Sequence, residues 1–124
     1  MIQLTPAEAE RLNAGFNLRM TAGRPRVTVK LAASLDGRTA MASGESQWIT
    51  GPDARADVQR LRAASSAIMT GSGTVLADDP SLNVRAPELD MAGRQPLRVV
   101  LDSRLRLPPD ARLLGLPGRT LVVT

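Results

Sequence analysis

Residues 66–80 read SAIMTGSGTVLADDP. Ala67–Met69 reads as a short buried strand, Gly71 and Gly73 as a glycine turn, the next residues as a short helical turn, and Asp79–Pro80 as its stop. A strand that passes through a glycine turn into a helix is the repeating unit of α/β folds. Such a turn also has a chemical use, because backbone N–H groups without side chains beside them can approach a phosphate or a dinucleotide. It is neither a Walker loop nor a Rossmann fingerprint: no Gly-Lys-Ser/Thr follows, and Leu76 stands where a third glycine would be.

Working outward, PLRVVLDS (96–103) and RTLVVT (119–124) read as two more strands. On the other side, TGPDARADVQRLRAAS (50–65) is the clearest helix, with Thr50 or Gly51 as its cap and Pro52 opening it. Ala54, Val58, Leu61 and Ser65 fall on one stripe, Arg62 borders that stripe, and Arg55, Gln59 and Arg60 cover the outer face. RVTVKLAAS (26–34) alternates, predicting a strand over 27–32 with Val27, Val29 and Leu31 on one side and Thr28, Lys30 and Ala32 on the other. Thr5, Pro6 and Glu8 form the start of a helix expected to run from 5 to 22 and to stop at Gly23 and Pro25. The expected organisation is a lead-in helix and linker over 1–25 and an α/β domain over 26–124. A buried strand rarely closes a domain, so a longer domain is expected.

Composition narrows the chemistry. There is no cysteine and no histidine, which excludes disulfides, thiolate metal sites and a zinc-deaminase centre, and no metal is expected. Acid–base work then falls to Lys, Asp, Glu or water. Lys30 is the only lysine. Its strand position allows two readings, a solvated sheet face or a cation aimed into a cleft. Arg62 likewise reads as a phosphate ligand or one half of an ion pair. Asp78–Asp79 before Pro80 reads as a solvated turn or as a pair of functional carboxylates. The net charge of +4 suits an anionic partner. One Trp and scattered arginines do not make a nucleic-acid platform. No apolar run approaches the roughly 18 residues of a membrane helix, and the expected location is cytoplasmic.

GESQWITG (44–51) holds the only tryptophan, set among polar residues and glycines. Trp48 there is either a surface aromatic packed on the following helix or a flat wall for a ligand.

In order and spacing, KLAASLDGRTA, GESQWITG, ARADVQRLRAAS, GSGTVLADDPSLNVR and LRVVLDS closely resemble the reductase domain of the bacterial bifunctional riboflavin-biosynthesis deaminase/reductases. The resemblance runs from about Glu8 to Thr124. It implies a dihydrofolate-reductase-like fold, a mixed sheet flanked by helices and incomplete in this chain. It implies NADPH-dependent reduction of the ribosyl group of 5-amino-6-(5-phosphoribosylamino)uracil to a ribityl chain. By the resemblance Ser46, Arg62, Leu82 and Arg85 match substrate contacts. Ala32, Trp48, Thr74, Asp78 and Ser103 match cofactor contacts, and Lys30 matches a lysine near the reacting ribose. Lys30 with Asp78 is the expected acid–base pair. The resemblance further implies an upstream deaminase domain, a missing glycine-rich stretch and glutamate downstream, and a homodimer. The alternatives are the reductase branch acting on the 2,5-diamino-pyrimidine before deamination, and a binding-only fragment without turnover.

Overall fold

The computed structural model describes residues 3–124. They form two compact units that divide between residues 49 and 50.

The first unit begins with two helices, α1 (Pro6–Leu12) and α2 (Ala14–Ala22). The capping box at the start of α1 is complete: Glu8 N–H donates to Thr5 Oγ1 at 3.3 Å, and Thr5 N–H donates to Glu8 Oε2 at 2.8 Å. The single helix expected over 5–22 is broken at Asn13, whose φ of −99° and ψ of 11° leave the helical path and whose Nδ2 donates to Ala9 O. A side chain that bonds the preceding turn competes with helix continuation. Gly23, at φ 66°, closes α2 in the left-handed conformation that glycine adopts without strain.

The strand expected over 27–32 does not form. Val27, Val29 and Leu31 are 72%, 76% and 77% exposed, and the segment pairs with no strand among the described residues. Alternation specifies which side chains share a face, but a strand exists only where a neighbour takes its backbone hydrogen bonds. The turn after it does form: Gly37 N–H donates to Ser34 O, Arg38 pairs with Asp36 at 3.0 Å, and Ser34 Oγ donates to Asp36.

The second unit contains α3 (Pro52–Ala63), β1 (Ala67–Gly71), α4 (Ser72–Asp78), β2 (Leu97–Leu101), α5 (Arg112–Gly115) and β3 (Thr120–Val123). The strands form a parallel sheet in the order β1-β2-β3, with Met69 opposite Val99 and Val99 opposite Leu121. Pro52 opens α3 behind Gly51, as its fixed φ favours. Its expected apolar stripe is largely uncovered: no residue of α3 is fully buried, Ala54, Leu61 and Ser65 are exposed, and only Val58 is half-buried. β1 is an edge strand and not a buried one, with Met69 exposed.

The core lies on one face of the sheet, where Val75 of α4, Leu82, Val100, Ala111 and Leu113 pack together with Ile68 and Leu107 against them. With almost no aromatic residues in the chain, this core is aliphatic. Alternation along β2 also sends two charged side chains inward, Arg98 and Asp102, each only 1% exposed. Among the described residues Arg98 forms no ion pair with an acid. Its guanidinium donates to the carbonyls of Leu116, Pro117 and Gly118 and to Thr120 Oγ1, all at 3.0 Å, fastening the α5–β3 connection to the central strand. Burial lowers its pKa, and the fork of acceptors keeps the charged form in place.

Asp102 ends the central strand. Its Oδ2 accepts from Leu107 N–H at 2.7 Å, folding the segment 102–107 back on itself. Burial pushes its pKa up, but the Leu107 N–H, the Ser72 hydroxyl, the Arg106 N–H and the Arg106 charge together hold it below the ordinary carboxylate value. A carboxylate with a depressed folded pKa stabilises the protein above its unfolded pKa of about 3.9, and that contribution is lost as pH falls through the folded value. Asp102→Asn is therefore expected to lower the melting temperature at pH 7. The gap from the unsubstituted chain should close below about pH 4. Melting curves from pH 7 to pH 3 check this, and a pH-independent gap would remove the carboxylate charge from the explanation.

Candidate functional site

The second unit places three of the expected substrate residues on adjoining elements. Arg62 is in the last turn of α3 and is half-buried. Leu82 and Arg85 lie in the irregular segment after α4, Leu82 buried in the core with φ at +45° and Arg85 exposed. A leucine in the left-handed region is strained and has to be held by its surroundings.

Side chains do the holding. Arg62 Nη1 donates to Asn83 O at 3.0 Å. Arg85 N–H donates to Gln59 Oε1 at 3.0 Å. Between them, Val84 N–H donates to Gln95 Oε1 at 2.9 Å, and Gln95 Nε2 donates to Val84 O at 3.0 Å. The Gln95 amide thus bonds both backbone groups of one residue, as a neighbouring strand would. Residues 83–85 are fixed from both sides without belonging to a sheet.

This geometry gathers positive charge. Burial lowers the Arg62 pKa, and the nearby charge of Arg85 lowers it further. Among the described residues neither arginine forms an ion pair, and the pairs there are Arg38–Asp36, Arg60–Asp57 and Arg112–Asp79. Two arginines on adjoining elements, neither paired with an acid, suit a dianion.

The sequence could not separate Asp78 from Asp79, but the structure does. Asp79 takes a left-handed conformation at φ 39°, accepts from Arg112 N–H at 2.8 Å and pairs with Arg112 Nε at 3.5 Å, so it ties α4 to α5. Asp78, the last residue of α4, is exposed and makes no hydrogen bond or ion pair among the described residues. Thr74 is also exposed on α4, and Ser103 follows β2, one residue after Asp102. Buried Ser72 accepts from Arg106 Nη2 at 3.0 Å, beside the buried Asp102 carboxylate. Ser72 directly follows β1, and Asp102 and Ser103 directly follow β2, at the C-terminal strand ends where parallel sheets bind ligands. A Cβ built at Gly71 or Gly73 meets nothing within 4 Å, so the backbone there is open to a ligand.

In the first unit, Lys30 is exposed and Ala32 half-buried on the unpaired extended segment. Ser46 is half-buried and Trp48 is 69% exposed in the turn-rich stretch that precedes α3.

The residues missed in sequence are the ones that support the arginines. Gln59 and Arg55, assigned to the outer face of α3, are half-buried, and Arg55 Nη1 donates to Thr50 O. Gln59 stands three residues before Arg62, on the same side of the helix, a spacing that could have revealed it. Gln95 lies in a polar loop and carries no such signal.

The family of RibD C-terminal domains matches residues 25–124. The chain belongs to that family. It is 57% identical to the Escherichia coli riboflavin biosynthesis protein RibD, covering 94% of this chain and 34% of that protein. Among solved structures, RibD of Acinetobacter baumannii superposes with a TM-score of 0.84 at 51% identity, over 95% of this chain and 34% of that one. A Thermotoga maritima diaminohydroxyphosphoribosylaminopyrimidine deaminase/5-amino-6-(5-phosphoribosylamino)uracil reductase superposes with a TM-score of 0.83 at 38% identity, over 94% and 32%. This RibD C-terminal chain thus spans about a third of the length of the relatives it matches. The α/β fold expected from the sequence is the fold these relatives share, and the three described strands are all parallel.

Proposed function

We propose that this chain carries out its part of an NADPH-dependent reduction of 5-amino-6-(5-phosphoribosylamino)uracil, converting the ribosyl group to a ribityl chain in riboflavin biosynthesis. The observation that carries the reading is the Arg62–Arg85 pair, which lacks an acidic partner and suits the phosphate of that substrate. Membership of a family whose relatives include a reductase of this substrate supports it.

In this reading Arg62 and Arg85 hold the phosphate, with Leu82 and Ser46 as further substrate contacts. The reacting sugar is the ring-opened, imine-like form of the ribosylamine. NADPH supplies the hydride equivalent that reaches the former anomeric carbon. As the C=N double bond becomes a single bond, its electron pair moves to nitrogen, which takes up a proton. Lys30 delivers that proton, or holds the water that does. Thr74 beside the open glycine turn, Asp78 at the far end of α4 and Ser103 bind the cofactor. Ala32 and Trp48 contact its nicotinamide end, Trp48 as a flat wall. The open backbone at Gly71 and Gly73 fits close approach of a nucleotide cofactor.

No helix among the described residues is long and apolar enough to cross a membrane. The reading takes the parent protein as a cytoplasmic homodimer with a deaminase domain upstream, in keeping with the deaminase/reductase relative and its greater length.

The test is oxidation of NADPH followed with the deaminated substrate and with its undeaminated diaminopyrimidine counterpart. Turnover of the first alone supports the reading, and turnover of the second alone assigns the chain to the diaminopyrimidine branch. Trp48 supplies an independent check. NADPH should quench its fluorescence, and Trp48→Ala should weaken NADPH binding by about 0.5–1.5 kcal/mol while leaving the melting temperature nearly unchanged. Unchanged affinity with a large drop in melting temperature would make Trp48 a packing residue instead.

A further inference from the structure

The Arg62–Arg85 pair poses a physical question. Like charges repel, and a nearby carboxylate would relieve them. The side chain in the place to do so is Gln59. It lies three residues before Arg62 on α3, where side chains meet on one helix face, and its Oε1 accepts from the backbone N–H of Arg85 at 3.0 Å. Glutamate has the same length and shape and would accept that hydrogen bond equally well. It would also place a negative charge at the Arg85 backbone, three residues before Arg62 on the same helix face.

We propose that Gln59 is the positioning and specificity-determining residue of this site. Its neutral amide fixes Arg85 against α3 while leaving both arginine charges unneutralised for the phosphate monoester of a sugar phosphate. The proposal rests on the assignment of the arginine pair to the substrate phosphate. Three contacts set the geometry: Gln59 to Arg85 N–H, Arg62 to Asn83 O, and Gln95 to both backbone groups of Val84. Only the first comes from a residue whose charge can be changed without removing either arginine or the hydrogen bond. Stability and binding therefore pull in opposite directions at position 59. A carboxylate there would make the fold more stable and the site less able to take an anion.

The test uses the 124-residue chain and inorganic phosphate as the probe, with affinity read by titration calorimetry and stability by melting temperature. Gln59→Glu should weaken phosphate binding by about tenfold or more, the scale of one charge-assisted contact. Its melting temperature without phosphate should stay level or rise by about 1–4 °C, the scale of a partly exposed ion pair. Gln59→Ala should weaken phosphate binding by a smaller factor and lower the melting temperature, because the loop loses a fastening and no charge is added. Ribose 5-phosphate should displace the bound phosphate, and NADPH should not. Unchanged phosphate affinity in Gln59→Glu, alongside weakened binding in Arg62→Ala, overturns the role of Gln59 and leaves the arginine site standing. Unchanged affinity in Arg62→Ala, or displacement by NADPH in place of ribose 5-phosphate, overturns the assignment of the pair, and the proposal falls with it.

Discussion

Lys30→Met is expected to slow hydride transfer to the ribosylamine by about 10²–10⁴-fold while leaving NADPH affinity within a few-fold, the usual range for losing an acid–base group. The expectation begins with elimination. The chain has no histidine, cysteine or tyrosine, and Lys30 is its only lysine. Arginine stays protonated far above neutral pH, which leaves Lys30 as the one basic side chain of this chain suited to acid–base work. The exchange is also structurally clean. Lys30 is exposed on the extended 27–32 segment, and methionine keeps most of its stem, so no cavity opens. Single-turnover transfer in the enzyme containing this chain, with cofactor affinity measured separately, distinguishes a slower chemical step from weaker binding. A Lys30→Met enzyme with near-normal transfer would leave water, or a group outside these residues, as the proton source.

Much of the second unit could be read from the sequence because its signals are local. The strand, glycine turn and short helix over 66–80, the proline opening α3 and the apolar runs of β2 and β3 each depend on neighbours a few residues away. The same holds for the capping box of α1. What could not be read depends on partners distant in sequence. Val27, Val29 and Leu31 alternate as a strand should, yet nothing in that segment says which strand would receive its hydrogen bonds. Asp78 and Asp79 are identical in type, and only the position of Arg112, 33 residues on, makes Asp79 structural. Arg98 and Asp102 sit on an apparently ordinary strand end, and their burial follows from carbonyls and amides supplied by later loops. At the candidate site the arginines were legible as residue types, whereas the amides that hold residues 83–85 were not. A glutamine advertises nothing until the backbone it bonds is in place.

The second large effect belongs to those arginines. Removing one charge-assisted contact to a phosphate typically costs about 1.5–3 kcal/mol, or about 10–150-fold in affinity. Arg62 is half-buried, tied to Asn83 O and without an acid, so Arg62→Ala should remove both a phosphate ligand and the fastening of its loop. Arg85 is exposed with only its backbone fastened, so Arg85→Ala should have the smaller effect of the two. Either loss should appear mainly in the Michaelis constant, since the phosphate is remote from the reacting carbon and is bound in ground state and transition state alike.

The decisive measurement is kcat/KM for 5-amino-6-(5-phosphoribosylamino)uracil and for its dephosphorylated form, in the unsubstituted enzyme and in Arg62→Ala. The unsubstituted enzyme should prefer the phosphorylated substrate. Arg62→Ala should lose about 10–150-fold more on that substrate than on the other, so that the preference collapses. Equal losses on both substrates, or no loss on either, would contradict the assignment of the Arg62–Arg85 pair to the substrate phosphate.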